Sequence, residues 1–344
     1  MQPVFKRQAR RSFLSSMALL SGSAFVAGLP LAGCHSRRGS SGLTLVKFQT
    51  DWYPQPEHGG FYNAQLKGYY KAEGLDVQIL PGGPYDASEG LVASGAVQFG
   101  MNSSDHVLEA IANSGEPLLA VGATMQHDPQ GLLLHAGSPV HTWTDLDGRT
   151  VAVKPGSTWW EFIRKRFHLD RVHEIPATFS VANFLQDPNY IQQAFVTSEP
   201  FFAQKAGVPT RMLLNSDAGY DPYRVFYTSQ AYAQQYPNVV AGFTRASVRG
   251  WRDYLADPTA VHTLIQKLNP ALNPEWMNYS YQALKSGGFV SGHSNPDNSS
   301  DPSASQLGQF DPARWTTMYR QLLDLKVIQK PIDPATAFTT KFLK

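Results

Sequence analysis

The chain has 344 residues, of which 16% are charged and 42% hydrophobic, with one cysteine and a formal charge of +2. That length holds one large or two medium cores at about 100–200 residues per domain, and the composition describes a packed globule rather than a disordered chain. Lys6, Arg7, Arg10 and Arg11 lie in the first 33 positions, which hold no acid; without these four, 25 basic residues face 27 acidic ones, and no nucleic-acid partner is expected.

Residues 1–34 read as a signal peptide, with a basic start and an apolar run from Met17 to Leu31 that Ser21, Gly22, Ser23 and Pro30 interrupt. A spanning helix needs ~20 predominantly apolar residues, so this run is an export signal and not an anchor helix. Arg10-Arg11-Ser12-Phe13-Leu14 resembles a twin-arginine motif, although Ala9 replaces the usual hydroxyl residue, and an ordinary secretory route stays open. Leu31-Ala32-Gly33-Cys34 resembles a bacterial lipoprotein box. Cys34 is the only cysteine, so an intramolecular disulfide is impossible and lipidation of this thiol is the expected use. Residues 35–42 are small and polar and predict a flexible tether, with the folded body beginning near Leu43.

Through the body, strand and helix patterns alternate. Strands are expected at 45–49, 76–80, 97–101, 118–125 and 131–135, with helices at 60–73, 87–94 and around 107–112. A turn at Leu146–Arg149 then feeds a strand at 150–153, a helix at 159–167, a strand near 172–175, a helix near 181–185, a strand near 191–195, a helix at 200–206 and a strand at 210–214. Val225–Thr228 is expected to return the chain to the first lobe, followed by amphipathic helices to residue 325. The alternation predicts parallel sheets with helices on both faces: a first lobe of residues 43–134 and 225–344, and a second of 135–224. Gly287–Gln309, rich in Ser, Asn, Gly, Asp and Pro, is expected to be a surface loop.

The segment from Asp51-Trp52-Tyr53-Pro54 through Glu57-His58-Gly59-Gly60 follows the first strand and runs into Lys67-Gly68-Tyr69-Tyr70-Lys71-Ala72-Glu73-Gly74-Leu75. It resembles the solute-binding proteins of importers for thiamine-pyrimidine precursors, sulfonates, taurine and nitrate, and most of all the pyrimidine-precursor branch. Gln193–Pro200 and Asp217–Pro222 extend the likeness, which runs from about Leu43 to Leu343. The resemblance implies an α/β, type II periplasmic-binding-protein fold, two lobes joined by a two-strand hinge with a ligand cleft between. It implies binding rather than turnover, with a monomeric, exported lipoprotein at the periplasm or cell surface passing a small planar heterocycle to an ABC permease and its ATPase. Sulfonate, taurine or nitrate binding is the alternative within the family.

Ligands of open α/β sheets bind outside the carboxyl ends of strands, which selects the candidate residues. Trp52 and Tyr53 follow a strand, where offset stacking on a flat ligand contributes ~0.5–1.5 kcal/mol beyond burial; lobe packing is the competing use. His58 and Glu57 are second candidates for hydrogen bonds to a heterocycle. Asn102, Ser103 and Ser104, with Asp105, open a helix and can either meet ligand oxygens or cap that helix. Pro155, Gly156, Ser157 and Thr158 repeat the arrangement in the second lobe, with Trp159 or Trp160 facing it across the cleft. Glu199 can accept from ligand N–H groups, which disfavours nitrate and sulfonate, or complement its own helix dipole. Tyr220 and Asp221 line the cleft or form an Asp-Pro turn.

One relative of this family is an enzyme, the pyrimidine synthase of thiamine biosynthesis, with a lysine-bound pyridoxal phosphate. His106 matches its histidine, but its lysine corresponds to Asn102, which cannot form a Schiff base, and its cysteine-rich cluster has no counterpart. No catalytic residues and no cofactor or metal are therefore expected, and the P-loop, H-E-x-x-H and G-x-S-x-G patterns are missing from the sequence. An extracytoplasmic sensor would share the same fold.

Overall fold

Phe48, Phe61, Phe99, Phe226, Phe243 and Trp251 meet in one apolar core, and the first sheet is built around them. A computed structural model describes residues 42–84, 87–178, 180–292 and 306–344. The signal peptide, Cys34 and all of the tether except Gly42 lie outside the described residues, as do residues 293–305 of the predicted loop. All strands and helices below lie in one compact unit.

The first half alternates β1 (Thr44–Gln49), α1 (Gly59–Leu66), α2 (Tyr69–Ala72), β2 (Leu75–Leu80), α3 (Ser88–Ala93), β3 (Phe99–Ser103), α4 (Ser104–Glu109) and β4 (Leu118–Met125). The second lobe follows with β5 (Gln130–His135), β6 (Thr150–Val153), α5 (Thr158–Phe167), β7 (His173–Pro176), α6 (Ala182–Gln186), β8 (Ile191–Phe195), α7 (Glu199–Lys205) and β9 (Thr210–Leu214). β10 (Arg224–Ser229) returns to the first sheet, and α8 (Gln230–Gln235), α9 (Pro237–Ala256), α10 (Thr259–Leu268), α11 (Pro274–Ser286) and α12 (Pro312–Asp324) complete the chain. The single helix expected over 60–73 is two, because Gly68 takes a φ of +72° at the junction, a conformation that ends a right-handed helix.

The sheets have orders β2-β1-β3-β10-β4 and β7-β6-β8-β5-β9. In each, four strands run in one direction and the fourth position is taken by a strand arriving from the other lobe, antiparallel to its neighbours. The expectation of purely parallel sheets is therefore corrected to mixed ones, since a crossing strand enters its sheet from the hinge side, against the direction of the βαβ strands. β5 belongs wholly to the second sheet, so the first crossing falls at residues 126–129, ahead of the expected boundary at 134/135.

α9 packs Val240, Phe243, Ser247, Gly250, Trp251 and Tyr254 inward at helical spacing, and it lies on α1. Their approach requires glycine: a Cβ on Gly60 would stand 2.1 Å from the Trp251 ring, and one on Gly250 would stand 2.2 Å from the Gly60 carbonyl oxygen. This close contact fixes the start of α1, and with it the turn that carries Glu57 and His58.

Candidate functional site

β1 and β3 end on one edge of the first sheet, where β10 begins, with Arg224 paired to Ser103 and Met125. β6 and β8 end on the edge of the second sheet where β5 begins and β9 stops, Gln130 opposite Phe195 and Leu214 opposite Gly131. The chain crosses between these edges twice, at residues 126–129 and 215–223, so the two sets of strand ends face one another.

Charge gathers where the crossings meet. Arg224 Nη1 donates to Asp51 Oδ2 at 3.4 Å, and Nη2 lies 3.7 Å from Asp128 Oδ1. The guanidinium carbon sits 5.4 Å from the centre of the Phe195 ring, at the end of β8. His58, with no exposed surface, places Nε2 2.9 Å from Asp51 Oδ1. Burial alone would raise the Asp51 carboxyl, but the His58 bond and the Arg224 charge outweigh it and hold the group below its ordinary value. Asp105 behaves alike: burial is overcome by the charge of His106 and by bonds from Ser103 and Tyr220, whose hydroxyl donates to Oδ2 at 2.6 Å. Asp128 goes the other way, pushed by burial up to about 6 against the pull of Arg224. Burial likewise raises Glu57 and Glu199. Asp51, Asp105, Asp128 and Glu57 thus all act on the Arg224 guanidinium.

Three hydrogen bonds tie the second lobe to the first at Thr197, on the loop after β8. Its hydroxyl donates to Glu57 Oε1 at 2.5 Å, and its carbonyl accepts from Trp276 Nε1 at 2.9 Å and Ser280 Oγ at 2.6 Å. On the other flank Thr158 Oγ1 donates to Glu109 at 2.9 Å.

The predicted residues are distributed over these edges. Trp52 is half-buried and meets Tyr53 edge-to-face at 5.6 Å, with Tyr53 50% exposed. Their loop is held by Thr50, whose hydroxyl donates to the Trp52 carbonyl, and by the Gly82 N–H on the same oxygen. The Asn102 amide donates to Glu89 at 2.7 Å and its oxygen accepts from the Ser103 N–H, while Ser104 Oγ accepts from the Tyr223 N–H at 3.1 Å. Gly156 is exposed with φ +73°, Ser157 Oγ donates to the Lys154 carbonyl, and Thr158 is engaged by Glu109. Trp159 and Trp160 do not stack across the cleft in this state: α5 turns its apolar side inward and both indoles join the hydrophobic core, 6% and 1% exposed. Glu199 accepts from the Phe195 N–H at 2.8 Å, within its own turn, and senses the charge of Glu57 across the cleft. Tyr220 is buried against Asp105, and Asp221 binds His127 at 2.7 Å and Arg314 at 3.0 Å.

Sequence reasoning did not single out Arg224, Asp128, Phe195 or Thr197. The signal for Asp128 is an Asp-Pro step between two apolar strands, a turn where a carboxyl is left at a strand edge. Among the described residues no group of three or more His, Cys, Asp and Glu side chains is arranged to hold a metal, and no helix is long and apolar enough to cross a membrane.

The two facing sheets, each completed by a strand from the other lobe, define the two-lobed architecture of type II periplasmic binding proteins. The chain belongs to the NMT1/THI5-like family, whose model matches residues 55–261. It is 25% identical over 312 residues to the riboflavin-binding protein RibY of Chloroflexus aurantiacus, covering 88% of this chain and 86% of the relative. To the formylaminopyrimidine-binding protein of Halalkalibacterium halodurans it is 26% identical, covering 73% of this chain and 80% of the relative. The crystal structure of the periplasmic aliphatic sulphonate binding protein SsuA from Escherichia coli superposes with a TM-score of 0.64 at 14% identity, covering 85% of this chain and 91% of that one. The pyrimidine synthase likeness is partial: 38% identity to the 4-amino-5-hydroxymethyl-2-methylpyrimidine phosphate synthase THI11 of Saccharomyces cerevisiae extends over 31% of each chain.

Proposed function

We propose that this chain is the solute-binding component of an ABC importer, exported and anchored through a lipidated Cys34, which takes up a small planar heterocycle and passes it as a monomer to a permease driven by its ATPase. The observation that carries the ligand class is the gathering of carboxyl groups at the cleft: Asp51, Asp105, Asp128 and Glu57 around Arg224, with Glu199 beside Glu57. Acceptor-rich walls favour ligands that bring N–H donors and repel oxyanions such as sulfonate or nitrate. The extended similarity to riboflavin- and formylaminopyrimidine-binding proteins supports the same class.

In this mechanism the ligand docks on the first lobe beside Trp52, Tyr53 and the Asn102–Ser104 strand end. The second lobe, with Gly156, Ser157, Thr158 and Glu199, then closes over it about the two crossings. Ligand bridging both lobes stabilises the closed form over the open one, and that difference is what a permease reads. No chemistry on the ligand is proposed, because Asn102 offers no amine for a cofactor aldehyde. The test is mass spectrometry of the small molecules released when the freshly purified protein is denatured. A heterocycle bearing ring or amino N–H groups is expected, and an alkanesulfonate in its place overturns the reading.

A further inference from the structure

We propose that Arg224 and Asp128 select the ligand at the cleft floor: the guanidinium donates to a ring carbonyl or ring nitrogen, and the carboxyl pairs with an adjacent N–H. The bound heterocycle would then present an acceptor and a donor side by side on one edge, as an imide, a ureide or an amino group beside a ring nitrogen does. This inference rests on the heterocycle reading above.

The Arg224 side chain is 13% exposed, yet among the described residues its guanidinium makes one hydrogen bond, the 3.4 Å contact to Asp51, while Asp128 at 3.7 Å stands beyond hydrogen-bond reach. A guanidinium carries five N–H donors in a planar fork, and those not spent on Asp51 are open to a partner at the cleft. The Phe195 ring lies 5.4 Å from the guanidinium carbon and covers one side of it. Asp128 spends Oδ1 on the Gln130 N–H at 3.1 Å, and its side chain is 3% exposed. Beside them Asp105 accepts from the Tyr220 hydroxyl through Oδ2. Donor and acceptor capacity are both left over where the two crossings meet. An oxyanion would fill Arg224 but press a negative charge on three aspartates, and a simple amine would leave the guanidinium unanswered. A mixed edge satisfies both.

The test is calorimetric titration of the mature chain with riboflavin and with a formylaminopyrimidine, each beside the same compound methylated at its edge N–H. For whichever parent compound binds, Arg224→Gln and Asp128→Asn are each expected to weaken affinity by at least about tenfold, the order expected for one hydrogen bond to a charged group. Arg224→Lys, which keeps the charge and loses the fork, should recover only part. The wild type should prefer the parent over the methylated analogue, and Asp128→Asn should lose that preference. Both glutamine and asparagine variants binding as wild type, or a wild type indifferent to methylation, overturn the inference. If Arg224→Gln does not fold by circular dichroism, Asp128→Asn decides, since asparagine keeps the shape and the acceptor for Gln130. A wild type that binds neither parent compound instead overturns the heterocycle reading, and this inference falls with it.

Discussion

Asp128 is a buried carboxyl whose protonation bears on the stability of the fold. Its carboxyl is raised from an ordinary 3.8 to about 6, so its favourable contribution is complete below about pH 4 and is lost as pH rises through about 6. Asp128→Asn removes that loss. Relative to wild type the variant should gain stability between pH 4.5 and 7.5, on the order of 1–3 kcal/mol by urea unfolding at the two pH values. A difference between variant and wild type that does not change with pH would contradict this assignment. Trp52→Ala should weaken ligand binding by about tenfold or more if its ring covers the heterocycle, again by calorimetry, with the unfolding temperature little changed because the side chain is only half-buried. Trp52 was legible in the sequence because it directly follows an apolar strand, where sheet architecture puts ligands. Arg224 and Asp128 were not, because one opens β10 and the other lies in the first crossing, and they meet only after the whole second lobe has folded between them. A partner so distant along the chain leaves no periodicity or spacing to read.

At the scale of elements, α1 against α9 and the loop after β8 against α11 decide how the cleft is held. Gly60→Ala inserts a methyl group 2.1 Å from the Trp251 ring and should cost ~1–3 kcal/mol through overpacking, visible as a lowered melting temperature. Thr197→Val removes the hydroxyl that serves the buried Glu57 while preserving shape. The variant should close less readily, and hydrogen exchange at the amides of residues 195–199 should quicken severalfold; unchanged exchange would show that the Thr197 contacts do not hold the lobes together. The order of strands and helices was almost wholly readable, because helical and alternating patterns differ in period and Gly and Pro mark most ends. The direction of the crossing strands was not. Val225–Thr228 and Gly131–His135 are short apolar runs that suit a parallel or an antiparallel neighbour equally, so alternation with helices suggested parallel sheets throughout. The buried tryptophans of α5 were misjudged for a related reason: Trp159 and Trp160 open a helix at a strand end, and only the inward apolar side formed with Phe162 and Ile163 sends them to the core.

For the whole molecule, the proposed anchor makes a separate prediction: Cys34→Ser should move the exported protein from the membrane fraction to the soluble one without altering ligand affinity, and a variant still membrane-bound would remove the lipidation reading. In the proposed mechanism two α/β lobes close an acid-rich cleft on a heterocycle with N–H donors. The most direct test is side-by-side calorimetric titration of the mature chain with riboflavin, a formylaminopyrimidine and ethanesulfonate. Saturable one-to-one binding of a heterocycle, with no heat from the sulfonate, is expected, whereas sulfonate binding more tightly than either heterocycle would overturn this mechanism.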